Sequence, residues 1–324
     1  MRILITGQSG FVGRALFKEL QNRGYTVRGT NRTASHRHVM RDIVAVGDVG
    51  PSTDWSEALQ ETDVIIHLAN RAHVLDESSR DPLSLFREIN VEGSTQLAKQ
   101  AAAIGVKRFI FVSSIKVNGE RTDEYPFTPE DQPNPQNPYA VSKTEAEMAL
   151  RRVAQVSSME VVIIRPPLII GPGAKGNFQR LTGLVRSGIP LPIGSINNRR
   201  SIVSLGNLVD FLIHCIANTQ AANQTFLVSD GVDLSTPDLI RMVASSMKQS
   251  VRLFPFPVSL LKMVAKIVGQ QGTADRLCGS LQLNMEKNRR LLNWTPPYSL
   301  QQGIRDAVKH ETSLGRNEGF DAGR

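Results

Sequence analysis

The chain opens Met-Arg-Ile-Leu-Ile-Thr-Gly-Gln-Ser-Gly-Phe-Val-Gly. An apolar run, Ile3 to Ile5, enters a glycine-rich turn that leads straight into a helical pattern. No other feature constrains the fold as strongly. Gly7 permits the tight strand-to-helix turn, Gly10 lets backbone approach a ligand with no Cβ between, and Gly13 lets the helix pack close on the strand. The free N–H groups of the turn, from Ser9 through Phe11 and Val12, and the positive end of the helix then face one point. That is the geometry for holding a dinucleotide diphosphate.

Strand and helix patterns alternate after this turn. Strand-like runs are 3–6, 26–30, 43–46, 64–68, 109–113, 161–165 and 226–229, with helical stretches at 11–23, 82–104 and 138–155. Near-continuous apolar strands alternating with helices predict an α/β fold, a doubly wound parallel sheet with right-handed crossovers. From Gly171 the pattern breaks into shorter pieces punctuated by Pro172, Pro190, Pro192 and Pro237. The reading is a dinucleotide-binding Rossmann domain at 1–170, with strand elements returning near 200–230. A smaller, mainly substrate-binding lobe follows at 171–310, and a mobile polar tail at 311–324.

The 324 residues are 40% hydrophobic and 21% charged, an ordinary globular balance. No run of about 18 apolar residues exists, which argues against a spanning helix. The chain starts on a strand rather than a signal peptide. Cys215 and Cys278 stand alone in apolar surroundings, with neither metal spacing nor a disulfide framework, so the expected compartment is the cytoplasm and the expected metal is none. The net charge of +8 suggests an anionic partner. Nucleic acid is argued against by the lack of a basic run or aromatic–basic interleaving. Part of the excess lies between Arg2 and Arg41, around the glycine turn, which suits phosphorylated small molecules. The apolar stretch 258–268 carries Lys262 and Lys266 four apart. It reads as a core-packed helix with snorkelling lysines, or as a peripheral contact with the inner face of a membrane that admits a polyprenyl-diphosphate-linked sugar.

The second informative segment is Asn137-Pro138-Tyr139-Ala140-Val141-Ser142-Lys143. Asn137 is a good N-cap and Pro138 suits the first helical position. Tyr139 and Lys143 then share one face as i and i+4. A nearby ammonium favours the phenolate, by roughly 4 kcal/mol at an effective dielectric of about 20. The pair is therefore expected to bring the phenol toward the neutral range, where general acid–base work is efficient. A third segment, Ser113-Ser114-Ile115-Lys116, ends a buried strand, where ligands bind in open parallel sheets. His67 and His73 flank the expected cleft as packed or solvated side chains.

These segments together resemble the extended short-chain dehydrogenase/reductases, the NAD-dependent epimerase/dehydratase family. The matches are TGQSGFVG at 6–13, SS at 113–114 and YAVSK at 139–143, with Asp48-Val49, His67-Leu68-Ala69, Asn90-Val91-Glu92-Gly93 and Arg165-Pro166 in support. The resemblance covers residues 1–310. It implies Ser114 as polarising hydroxyl, Tyr139 as proton donor or acceptor, and Lys143 as the residue that lowers its pKa and binds ribose. It also implies cofactor contacts from Asp48, Val49, Leu68, Ala69, Asn70, Asn90 and Pro166, and a homodimer through the Tyr139 helix.

In NAD-preferring relatives the second strand ends in an acid. Here it ends Thr30-Asn31-Arg32. Asn31 and Arg32 suit a 2′-phosphate, so NADP(H) is expected, with NAD(H) as the alternative.

Within the superfamily the chain resembles the nucleotide-sugar enzymes, which implies a small-molecule nucleotide-sugar partner. Asn177 and Arg200 fall where those enzymes hold the diphosphate, Arg276 adds a cation, and Ser114 and Lys116 face the sugar. Relatives that are 4,6-dehydratases place an Asp-Glu pair after the catalytic hydroxyl. Ile115-Lys116 stands there in this chain, which disfavours dehydration. The segments at 113–120, 165–178 and 198–210 are similar to bacterial reductases of UDP-4-keto-6-deoxy-N-acetylglucosamine, which form UDP-N-acetylquinovosamine or its 4-epimer for O-antigen synthesis. That reduction is the expected reaction, and UDP-sugar 4-epimerisation is the alternative.

Overall fold

All seven predicted apolar runs become strands of one sheet. A computed structural model describes residues 1–33, 42–72, 81–174 and 176–318, without the side chains of Asn177 and residues 311–318. The strands are β1 (Arg2–Thr6), β2 (Thr26–Asn31), β3 (Ile43–Ala45), β4 (Val64–His67), β5 (Arg108–Val112), β6 (Glu160–Arg165) and, after β7 (Leu168–Ile170) and β8 (Arg200–Ser204), β9 (Thr225–Leu227). They lie in the order β3-β2-β1-β4-β5-β6-β9, every neighbouring pair parallel. His73 and Lys175 lie outside the described residues.

Both faces are buried because the runs are apolar at every position. Ile3, Ile5, Ile66, Ile110 and Ile164 pack on one face with α1 (Phe11–Asn22) and α7 (Leu205–Ala217). Leu4, Ile65, Phe109, Phe111 and Ile163 pack on the other with α2 (Ser56–Leu59), α4 (Ser94–Ala103) and α5 (Pro138–Gln155). Each such fully buried side chain stabilises the fold by roughly 1.5–3 kcal/mol before entropy is counted.

The predicted helix at 82–104 is interrupted. α3 (Pro82–Arg87) passes through a π turn, Glu88–Gly93, before α4. In that turn the Thr95 hydroxyl donates to the Val91 carbonyl at 2.6 Å. Such turns cluster at functional sites.

The smaller lobe has its own sheet, β10-β8-β7, with β10 at Asp233–Leu234. β7 precedes Gly171, and α7 and β9 pack on the main sheet. The lobe's core joins Ile170, Phe178, Ile202, Ile240, Leu300 and Ile304. Its helices are α6 (Asn177–Arg186), α8 (Thr236–Ser246), α9 (Val258–Ile267), α10 (Gln271–Cys278) and α12 (Leu300–Glu318), while α11 (Glu286–Leu292) packs on the main sheet beside β9. α12 runs through Glu318. Leu300, Ile304, Ala307 and Val308 anchor its first turns in the lobe core, and an anchored helix propagates one hydrogen bond per residue. Among the described residues no helix is long and apolar enough to cross a membrane.

Candidate active site

The glycine turn has the predicted geometry. Gly7 takes φ +70°, and a Cβ there would lie 2.8 Å from the Ala69 nitrogen. A Cβ on Gly13 would lie 2.2 Å from the Gly7 carbonyl oxygen. The turn thus packs between α1 and the exit of β4, and only glycine fits at both points. Gly10 donates to the Gly7 carbonyl at 3.0 Å, and Arg14 Nε donates to the Ser9 carbonyl at 2.7 Å, which pins the loop. No side chain caps the first turn of α1, so the N–H groups beyond Gly10 keep the outward dipole available to an anion.

The opposite wall is the exit of β4. The Leu68 and Ala69 N–H groups both reach the Thr6 hydroxyl, at 3.2 and 3.3 Å, and Asn70 Nδ2 donates to the Leu68 carbonyl. Thr6 Oγ1 also meets His67 Nδ1 at 2.6 Å, and His67 Nε2 meets Ser94 Oγ at 2.8 Å. Burial pushes the His67 pKa down to about 3, so the ring is a neutral strut of the cleft floor. Asn90, in the π turn, is fully buried. Its carbonyl accepts from Arg71 N, and its amide donates to Arg71 O and to Ser142 Oγ. It therefore ties the β4 exit to the helix that carries Tyr139.

At the end of β2, Asn31 Oδ1 is a buried acceptor with no hydrogen-bond partner among the described residues. A ribose hydroxyl, which donates, satisfies such an atom; a phosphate oxygen does not. Arg32 instead leans 3.9 Å from Asp48, both side chains more than four-fifths exposed. Among the described residues, no cradle for a 2′-phosphate is built around Arg32. Val49 packs against Gly93, where a Cβ would come within 2.7 Å of its methyl.

Ser114 and Tyr139 lie together, with Lys143 one turn on along α5. Asn137 caps α5, its Oδ1 accepting from Ala140 N at 2.9 Å, with Pro138 next. The Ser114 hydroxyl faces the Tyr139 phenol closely enough to favour its phenolate, and the Tyr139 ring meets Phe86 edge-on at 6.0 Å. Lys143 is buried and donates to the Val112 carbonyl at 2.8 Å. Its pKa falls to about 7 through burial, partly offset by Glu147. The Tyr139 phenol is pushed up to about 12 by burial, partly offset by Ser114. Lys143 is not among the groups that shift the phenol here; its ammonium is committed to the Val112 carbonyl, and burial sets the direction at Tyr139.

Behind these residues lies a network that the sequence reading missed. Glu147, one turn beyond Lys143, accepts from Ser113 Oγ at 2.5 Å and from Arg165 at 2.9 and 2.6 Å. Arg165 also donates to Asn118 Oδ1 at 2.8 Å. The available signal was Glu147 at i+4 from Lys143. Pro166 closes the network; its carbonyl accepts from Ile115 N at 3.0 Å.

Lys116, expected to face a sugar, pairs with Glu120 at 3.5 Å, and Glu120 also accepts from Asn137 Nδ2. Ile115 is buried in a hydrophobic cluster, so neither position after Ser114 offers a carboxylate. Arg200 donates to the carbonyls of Arg276 and Gly279, at 2.9 Å each, which brings Arg200 and the end of α10 together. The Arg276 side chain is exposed. Asn177 begins α6.

The model of the family described as "NAD dependent epimerase/dehydratase family" matches residues 3–229, which span the glycine turn, Ser114, Tyr139 and Lys143. The chain belongs to that family. A UDP-glucose 4-epimerase of Vibrio cholerae is 46% identical over 313 residues, covering 95% of this chain and 94% of that protein. The N-acetyl-alpha-D-glucosaminyl-diphospho-ditrans,octacis-undecaprenol 4-epimerase of Escherichia coli O157:H7 is 28% identical over 324 residues, 95% of each. The solved UDP-glucuronic acid 4-epimerase from Bacillus cereus in complex with NAD has a TM-score of 0.77 at 20% identity, covering 97% of this chain and 99% of that one. This family membership makes the protein an NAD-dependent enzyme of the epimerase/dehydratase family, with the Rossmann-like fold described above.

Proposed function

We propose that the protein is an NAD-dependent 4-epimerase of a UDP-hexose or UDP-N-acetylhexosamine. The observation that carries this reading is Ser114 facing the Tyr139 phenol, with buried Lys143 one turn on along the same helix, in a chain 46% identical to a UDP-glucose 4-epimerase. The orphaned Asn31 acceptor and the uncapped start of α1 suit the adenosine ribose and the diphosphate of NAD. Bound NAD supplies a hydride acceptor and donor for the sugar C4.

The chain's own residues move the proton. Tyr139 exchanges it with the C4 oxygen, and a phenol held protonated by burial is the donor when a 4-keto group is reduced. Ser114 donates to the same oxygen as charge develops there, an interaction realised most fully in the transition state. Lys143 holds the end of β5 against α5 and offers its remaining N–H bonds to the cofactor ribose.

A second reading is reduction of a UDP-linked 4-keto-6-deoxy-N-acetylhexosamine by NADPH, giving UDP-N-acetylquinovosamine or its 4-epimer. It rests on the acid-free end of β2, where Arg32 stands exposed. The two readings separate in one experiment. The purified protein is given UDP-glucose and UDP-N-acetylglucosamine without added cofactor, and separately the 4-keto substrate with NADH or NADPH. Interconversion of C4 epimers by NMR, with no net change in nicotinamide absorbance, supports the epimerase. Stoichiometric oxidation of NADPH with a new 6-deoxy sugar overturns it in favour of the reductase.

A further inference from the structure

α9 carries two apolar stripes where an ordinary surface helix carries one. Val258 and Leu261 pack on the core of the smaller lobe. Leu260, Met263, Val264, Ile267 and Val268 form a second stripe at i, i+3, i+4, i+7 and i+8, exposed by 43, 52, 49, 76 and 62%. Phe254 and Leu277 extend it on either side, at 43 and 38%. No side chain of α9 is fully buried. A contiguous apolar surface of this kind marks a site of association.

The charge around the stripe identifies the partner. Between Lys248 and Arg276 the cations are Lys248, Arg252, Lys262, Lys266 and Arg276, and the only carboxylate is Asp275. Lys262 reaches Asp275 at 3.8 Å, with both side chains about half exposed, a separation at which screening leaves little attraction. A second copy of this chain, seated on the same face by a two-fold axis, would bring the lysines of α9 and Arg276 of α10 against their own copies, with Asp275 as the one acid these two helices supply. A surface of anionic lipid is complementary to both features. Apolar side chains enter the headgroup–acyl boundary while lysines reach phosphates beside them.

We propose that α9 and its flanks are a docking surface for an anionic bilayer. The surface is tied to the substrate side of the molecule, because Arg200 of β8 holds the carbonyls of Arg276 and Gly279 at the end of α10. Docking would bring that side toward the bilayer, whichever C4 reaction the site performs.

The test is co-sedimentation of the full chain with vesicles of phosphatidylcholine containing about one third phosphatidylglycerol, against pure phosphatidylcholine. At low salt we expect at least a roughly tenfold preference for the anionic vesicles, lost near ~0.5 M salt, where charge is screened within a few Å. Met263→Glu with Ile267→Glu should abolish binding, and Lys262→Glu with Lys266→Glu should abolish the preference for anionic lipid. All four side chains are exposed, and circular dichroism and the unfolding midpoint confirm that each variant is folded. No binding to anionic vesicles at low salt overturns the proposal. So does binding that the Met263/Ile267 variant leaves unchanged. A solution dimer that the same variant dissociates, without vesicle binding, would assign the face to a second copy instead.

Discussion

Lys143 Nζ donates to the main-chain carbonyl of Val112 at 2.8 Å and stands 4.1 Å from the centroid of the Phe111 ring. One side chain thereby ties the helix bearing Tyr139 to the strand that delivers Ser114. The arrangement costs stability, because an ammonium has left water for a site with one carbonyl and one ring face.

That cost has a sign and a window. The folded pKa is about 7, against an ordinary 10.5. Between these values the unfolded chain binds more protons, so stability rises with pH. The penalty is fully present below pH 7 and is relieved toward pH 10.5, with a limiting slope of about 1.4 kcal/mol per pH unit. Urea unfolding at pH 7 and pH 9 measures it. The parent should gain stability relative to Lys143→Met over that interval. Parallel behaviour of the two proteins would mean that Lys143 titrates normally.

Tyr139→Phe removes only the hydroxyl that meets Ser114. The ring and its edge contact with Phe86 remain. Turnover should fall about 10²–10⁴-fold, the range for a lost general acid–base. The unfolding midpoint should stay within about 2 °C of the parent. Ser114→Ala should cost less, about 10²–10³-fold, because it removes one donor to the developing charge. Steady-state rates and thermal melts on both variants check the ordering; a fully active Tyr139→Phe protein would sink the proton-transfer role.

Glu147 and Arg165 form a buried two-point ion pair, each side chain 4% exposed. Such a pair stabilises little by its presence but costs much to break, since removing one charge strands the other away from water. Glu147→Gln keeps the volume and should destabilise the fold by about 3 kcal/mol or more. Replacing both residues with Met should recover part of that loss. Denaturant melts of the single and double variants decide; additive losses would show that the pair is not coupled.

The seven-stranded sheet was legible because buried parallel strands are apolar at every position, and no helix competes for runs such as Val64–Ile66 or Val161–Ile164. The second sheet was not. β7 has three residues and β10 two, one of them Asp233, too short for any period to register. The π turn at Glu88–Gly93 hid inside an unbroken helical pattern, because one inserted residue leaves the apolar spacing nearly unchanged. At the site, residue types and spacing placed Ser114, Tyr139 and Lys143 together. They did not reveal where the lysine's proton points. That depends on Val112 O, a backbone atom with no signature in a side-chain sequence. Asn31 was read through Arg32 beside it, as half of a phosphate site, and only the structure exposes its unpartnered oxygen.

The glycine turn yields a paired prediction in which the same substitution has opposite signs. At Gly13 an added Cβ meets the Gly7 oxygen at 2.2 Å and Gln8 Cα at 2.8 Å. Both are backbone atoms, so no rotamer relieves the overlap, and α1 must move off the turn. Gly13→Ala should lose about 1–3 kcal/mol. It should also lose the rise in unfolding midpoint that added NAD gives the parent, because ligand stabilisation requires the intact turn. Gly183, exposed in the middle of α6, has nothing within 4 Å of its added Cβ. There alanine only reduces the entropy lost on forming helix, and Gly183→Ala should gain about 0.5–1 kcal/mol with its NAD response intact. Thermal melts of both variants, with and without NAD, measure all four quantities. A Gly13→Ala protein that kept the NAD shift would show that the turn tolerates displacement of α1, and the diphosphate would have to be held elsewhere.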